Sequence, residues 1–112
     1  MDIDGIAFWD RVSAIAMKMP GAEASTSYGT PAFKVKKKLF ARLKEDGKTL
    51  AIFTLEREWW MHEDAKTFFI TDHYINYPMM LISLERVTAK DLETLIKESW
   101  RLKAPRSIGN KE

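Results

Sequence analysis

The sequence contains no cysteine, and that absence removes disulfide frameworks, thiolate metal sites and cysteine nucleophiles together. It holds only two histidines, five glycines and four prolines. Neither a Gly-rich loop ending in Lys-Ser/Thr nor a G-x-G-x-x-G run occurs, so the common phosphate-cradling fingerprints are missing. His62, Glu63 and Asp64 are adjacent, but adjacent helical residues point about 100° apart, and Lys66 stands where a zinc helix needs its second histidine. No catalytic residues, metal or cofactor are therefore expected. Long apolar runs are missing too. The longest uncharged stretch, "YINYPMMLISL", is too short to span a bilayer, and the acidic start "MDIDGIAFWDRV" has no basic region ahead of an apolar one. A cytoplasmic protein without a membrane segment is the expectation.

What is present describes a globular chain. At 112 residues, 46% hydrophobic and 30% charged, it predicts one domain over 1–112 with a real core and a flexible tail at 104–112. The net charge of +2 is unevenly spread: residues 34–48 hold seven basic and two acidic side chains, and residues 97–112 hold five and two. Whether those two basic segments meet in space decides how a polyanion would see the molecule.

Helical spacing of Phe8, Val12, Ile15, Ala16 and Met19 predicts a helix over 4–19 with Asp4 as N-cap, stopped by Pro20-Gly21. "AEASTSYG" reads as polar turn. From Pro31 onward "AFKVK" and "LFARLKE" alternate, which predicts a hairpin with Lys37-Lys38 near its tip. "EDGK" signals a second turn and "TLAIFTL" a third strand. "LEREWWMHEDAK" is helical, "TFFIT" and "PMMLISLERV" are strands, and Thr88 with Asp91 starts a last helix whose stripe is Leu92, Leu95, Ile96, Ser99 and Trp100. Glu93 and Lys97 form a supporting i,i+4 pair. The predicted class is α+β: a two-layer antiparallel sheet in the order α-β(3)-α-β(2)-α.

Three runs, "STSYGTPAFKVKKKLFARL", "FFITDHYINYPMMLISL" and "ESWRLKAPRSI", resemble in order and spacing the MmcQ/YjbR family of small bacterial proteins. Tyr28, Gly29, Thr30, Pro31, Phe33, His73, Tyr74, Tyr77, Pro78, Trp100 and Arg101 match its pattern. The resemblance implies a secretion-chaperone-like fold and a DNA-binding role, the latter by analogy with a double-winged motif. The departure is "KVKKKLF", where a small residue such as glycine is expected near the hairpin tip.

Two functional readings follow. In the first, Lys34, Lys36, Lys37, Lys38, Arg42 and Lys44 on the hairpin, with Arg101, Lys103 and Arg106 at the chain's end, contact nucleic-acid phosphates. Sequence preference should be weak, because no helix carries an Arg/Asn/Gln cluster on one face. The bland counterpart is a solvated sheet face, whose outward positions are polar in any protein. In the second, Tyr28, Thr30, His73, Tyr74 and Tyr77, helped by Arg101, line a pocket for a protein or small molecule, with Asp72 orienting the imidazole of His73. A monomer is favoured, since lysines on a hairpin edge oppose strand pairing.

Overall fold

The alternation that begins at Pro31 folds back on itself at short turns as far as Phe53, and the chain then returns to the same sheet after a helix. In the computed structural model, which describes residues 3–106, the elements are α1 Ile3–Ala16, β1 Ala22–Ser27, β2 Thr30–Val35, β3 Lys38–Leu43, β4 Thr49–Phe53, α2 Arg57–Glu63, β5 Phe68–Phe69, a 3-10 turn Asp72–Tyr74, β6 Met79–Ser83 and α3 Ala89–Lys103. The strands form one six-stranded sheet in the order β1-β2-β3-β4-β6-β5. Every neighbouring pair is antiparallel. The α+β class stands.

The sheet has one strand more than the sequence predicts. "AEASTS" is β1, paired residue for residue with β2 from Ala22↔Val35 to Ser27↔Thr30. An edge strand needs little apolar surface, and only its Ala22 packs against the core. α1 ends at Ala16 rather than Met19, though Met19 still packs on the core from the following turn. Asp4, expected as N-cap, lies in helical backbone. Of the expected tail, Ala104 donates its N–H to Trp100 O and packs on the core, whereas 107–112 lie outside the described residues.

Apolar side chains from one face of the sheet meet α1 and α3. Val12 and Ala16 from α1, and Leu92, Leu95, Ile96 and Trp100 from α3, close over Phe33, Val35, Phe40, Leu43, Leu50, Ile52, Met80 and Ile82. Each fully buried Leu, Ile or Phe among them contributes about 1.5–3 kcal/mol. Trp9 stacks on Phe33 with ring centroids 5.2 Å apart. The expected Thr88 cap is in place, its hydroxyl accepting from Asp91 N, and Lys97 lies 3.4 Å from Glu93.

One irregularity positions everything on the other face. Phe33 pairs with Ala41 but Lys34 pairs with Leu39, so Phe40 is an extra residue in β3, a β-bulge. Phe40 and Ala41 both join the core, and the alternation restarts one residue out of phase. Leu39, Arg42 and Lys44 consequently share the outer face. Ser99 fastens the bulge from α3: its hydroxyl donates to Phe40 O and accepts from Phe53 N at 2.9 Å.

Candidate functional site

Two hairpin turns carry the residues of interest, and both are strained. Ser27↔Thr30 encloses Tyr28 and Gly29 at φ 52° and 81°. Val35↔Lys38 encloses Lys36 and Lys37 at φ 48° and 69°. Both therefore follow the positive-φ pattern of tight type I′ turns. The tip lies one residue earlier than the expected Lys37-Lys38, and Lys38 is already in the strand. Tyr28, Lys36 and Lys37 are the non-glycine residues with positive φ among those described. Left-handed backbone costs an L-residue roughly 1–2 kcal/mol, and such strain gathers at functional sites.

The Lys36-Lys37 turn stands at one end of the sheet, and the end of α3 is there too. Ser99 bonds both Phe40 at the start of β3 and Phe53 at the end of β4. Trp100 Nε1 donates to Pro20 O at 2.9 Å, just ahead of Ala22, the partner of Val35. Lys103 Nζ lies 3.8 Å from the centroid of the Phe53 ring. Lys36, Lys37, Lys38, Arg101 and Arg106 are exposed at this end, together with Lys18 after α1. Among the described residues, none of these has a carboxylate within 4.0 Å. Glu98, a nearby carboxylate, accepts from Thr54 Oγ1 at 2.7 Å. Lys34, half-buried on the outer face, stands between Glu23 and Leu39 on the adjoining strands.

Arg42 and Lys44, expected as free cations on a wet face, are engaged. Arg42 is 5% exposed. Its Nε donates to Ser27 O at 3.0 Å, its Nη2 to Glu45 Oε2 at 2.6 Å, and its guanidinium carbon lies 5.1 Å from the Tyr28 ring centroid. Lys44 Nζ donates to the Tyr74 hydroxyl at 2.9 Å. Both lie on the outer face, as expected, but Ser27, Tyr28, Glu45 and Tyr74 cover that part of the face and take up their donors. The backbone N–H of Glu45 first, and the Arg42 guanidinium next, hold the Glu45 carboxyl below the usual range. It is an anion at neutral pH.

Around these cations the outer face forms a cleft of about 580 Å³, lined by Tyr28, Leu39, Arg42, Lys44, Glu45, Ala51, Phe53, His73, Tyr74, Tyr77 and Met79. Four of the residues expected in a pocket, Tyr28, His73, Tyr74 and Tyr77, do converge. Thr30 lies next door: its hydroxyl donates to Ser27 O at 3.0 Å, and it lines a smaller depression with Pro31 and Leu43 to Gly47. Arg101 is not among the cleft residues. Asp72 does not orient His73; the imidazole instead meets Tyr74 edge-on at 4.9 Å and Tyr77 at 6.0 Å between centroids.

The wall that carries these rings depends on a residue the sequence reading missed. Arg57, at the start of α2, donates from Nη1 to the carbonyls of Tyr74, Tyr77 and Met79 at 2.9, 2.6 and 3.0 Å, and from Nη2 to Ile75 O at 2.7 Å. Although Tyr74 O and Tyr77 O also accept from Tyr77 N and Met79 N, one planar guanidinium ties four carbonyls of the loop and the start of β6 together. The signal in the sequence was a lone arginine among acidic residues, which fixes no partner.

With fold and geometry in view, relatives can be placed. The sequence model of the YjbR family matches residues 17–102. The chain belongs to the YjbR family. Two relatives, the uncharacterized proteins Rv2570 of Mycobacterium tuberculosis (strain H37Rv) and Mb2600 of Mycobacterium bovis, are each 35% identical over 46 residues. That match takes in 41% of this YjbR-family chain and 36% of the relative. A crystal structure of Deinococcus radiodurans protein DR2400, with the domain DUF419, superposes with a TM-score of 0.73. Its identity is 18%, with 84% of this chain and 76% of the other covered. The likeness extends to the fold. Among the described residues, no helix is long and apolar enough to cross a membrane.

Proposed function

We propose that this YjbR-family protein is a non-enzymatic, cytoplasmic module that binds nucleic acid with weak sequence preference through its basic end. The observation that carries this reading is that the Lys36-Lys37 turn and the last turns of α3 share one end of the sheet, with Lys36, Lys37, Lys38, Arg101 and Arg106 exposed there. Lys103 adds a cation fixed over Phe53. An ordinary surface intersperses both signs, whereas at this end the exposed cations outnumber the carboxylates Glu23 and Glu98. The set differs from the sequence expectation in one respect: Arg42 and Lys44 serve the cleft, so phosphate binding rests on the tip and the helix end.

Fluorescence anisotropy of a labelled 20-base-pair duplex, titrated at several salt concentrations, tests the reading. If about five cations meet phosphates, log K falls with log salt at a slope of roughly −4 to −5. The triple variant Lys36→Ala, Lys37→Ala, Lys38→Ala loses about two to three units of that slope. Absence of binding at low salt, or an unchanged slope in the variant, would refute it.

A further inference from the structure

The outer-face cleft carries more recognition chemistry than phosphate contact requires. We propose that it is a site for one unstacked nucleotide, with the base among Tyr28, His73 and Tyr77 and the phosphate toward Lys44. Its volume of about 580 Å³ suits a small ligand, such sites spanning about 300–1,000 Å³. The floor is low and apolar because Ala51 occupies the centre of β4, between Arg42 on β3 and Leu81 on β6.

Three features select the occupant. The walls are rings with open faces: Tyr28 is 88% and Tyr77 53% exposed, and His73 is exposed beside them. Exposed aromatic rings on a rigid scaffold are what an unstacked base needs. Tyr28 is held there at a cost, in left-handed backbone and above the buried Arg42 guanidinium. Charge is the second feature. Arg42 and Lys44 face one carboxylate, Glu45, so the cleft keeps a net positive charge, and Lys44 has protons left after serving Tyr74. The third is polarity at the rim. Among the described residues, the hydroxyls of Tyr28 and Tyr77 and the ring nitrogens of His73 make no hydrogen bond within the protein, and they match the donor and acceptor edge of a base. A base-paired duplex cannot offer that edge, so the site distinguishes unpaired from paired strands. The basic end plays no part in this assignment.

The test is an amide and aromatic NMR titration with 2′-deoxyadenosine 5′-monophosphate, run beside adenosine, inorganic phosphate, benzoate and a six-nucleotide deoxyadenosine strand. Saturable shifts at Tyr28, Lys44, Ala51, His73 and Tyr77 are expected with the mononucleotide. Tyr28→Gly removes the ring while suiting the positive φ, and Lys44→Met removes the charge. Each should weaken binding about tenfold while cooperative unfolding is kept. A strand that shifts the same residues and binds more tightly assigns the nucleotide to a nucleic acid; equal affinity assigns a free nucleotide. No saturable shift at millimolar mononucleotide, an unchanged Tyr28→Gly, or equal affinity for adenosine or benzoate would overturn the proposal. The Lys36→Ala, Lys37→Ala, Lys38→Ala variant should bind the mononucleotide as wild type does. Loss of duplex binding therefore bears on the basic end alone, and loss of mononucleotide binding on the cleft alone.

Discussion

The hairpin of β2 and β3 uses its cations in two ways. At the tip, Lys36, Lys37 and Lys38 are exposed and have no carboxylate within reach among the described residues. At the other end, Arg42 is buried against Ser27 and Glu45, and Lys44 is tied to Tyr74. The bulge at Phe40 re-phases β3 so that its later cations share the outer face, and the two ends differ because Ser27, Tyr28, Glu45 and Tyr74 cover that face around Arg42 and Lys44. A count of positive residues therefore overstates what a polyanion meets. The free charge is at the tip, and the engaged charge builds the cleft.

The largest effect should come from breaking the bulge's fastening. Ser99→Ala leaves Phe40 O and Phe53 N without their interior partner and should cost about 3 kcal/mol in chemical denaturation; a loss under about 1 kcal/mol would show that the bulge holds without α3. Arg42→Ala should follow at about 2 kcal/mol, from lost packing and the bond to Ser27 O. Arg42→Lys should restore only part, because an ammonium cannot reproduce the planar fork. At the tip the sign reverses. Lys36→Asn with Lys37→Gly suits positive φ at both turn positions and should stabilise by about 1 kcal/mol. Unchanged or lower stability would mean that the turn stores no strain.

The smallest effect is one of pH. Hydrogen bonds from Thr67 Oγ1 and nearby backbone N–H groups hold Asp64 below its ordinary 3.8. Burial pushes Asp46 up, but bonds from Lys48 N and from Thr49 outweigh it and leave it below 3.8. Glu45 lies below 4.5. A carboxylate depressed in the folded state adds stability above its unfolded value and loses it as pH falls through the folded one. Stability should thus be flat from neutrality to about pH 5 and decline below about pH 4, as thermal melts across that range would show. A decline beginning above pH 6 would point to other groups.

The core face was legible because period and burial agree there: the α3 stripe from Leu92 to Trp100 and the core positions of β2 and β4 follow simple spacing. β1 was not, because an edge strand of small polar residues carries no pattern, although Gly29 after Tyr28 marked a tight hairpin turn. The roles of Arg42 and Lys44 were hidden because their partners, Ser27, Tyr28, Glu45 and Tyr74, are not set by alternation, while the bulge at Phe40 broke that alternation without a residue type that announces it. His73, Tyr74 and Tyr77 could be named as a group from their spacing. Their wall depends on Arg57, whose four acceptors, in the loop and at the start of β6, lie seventeen to twenty-two residues away.

The measurement that tests the division between tip and cleft most directly is an amide NMR titration of the whole chain with a short single-stranded oligonucleotide at low and high salt. Shifts at residues 34–38 and 101–106 should vanish at high salt, while those at Tyr28, Ala51 and Tyr77 persist. If both sets fade together, or if the tip residues never shift, the hairpin's two ends do not have separate tasks.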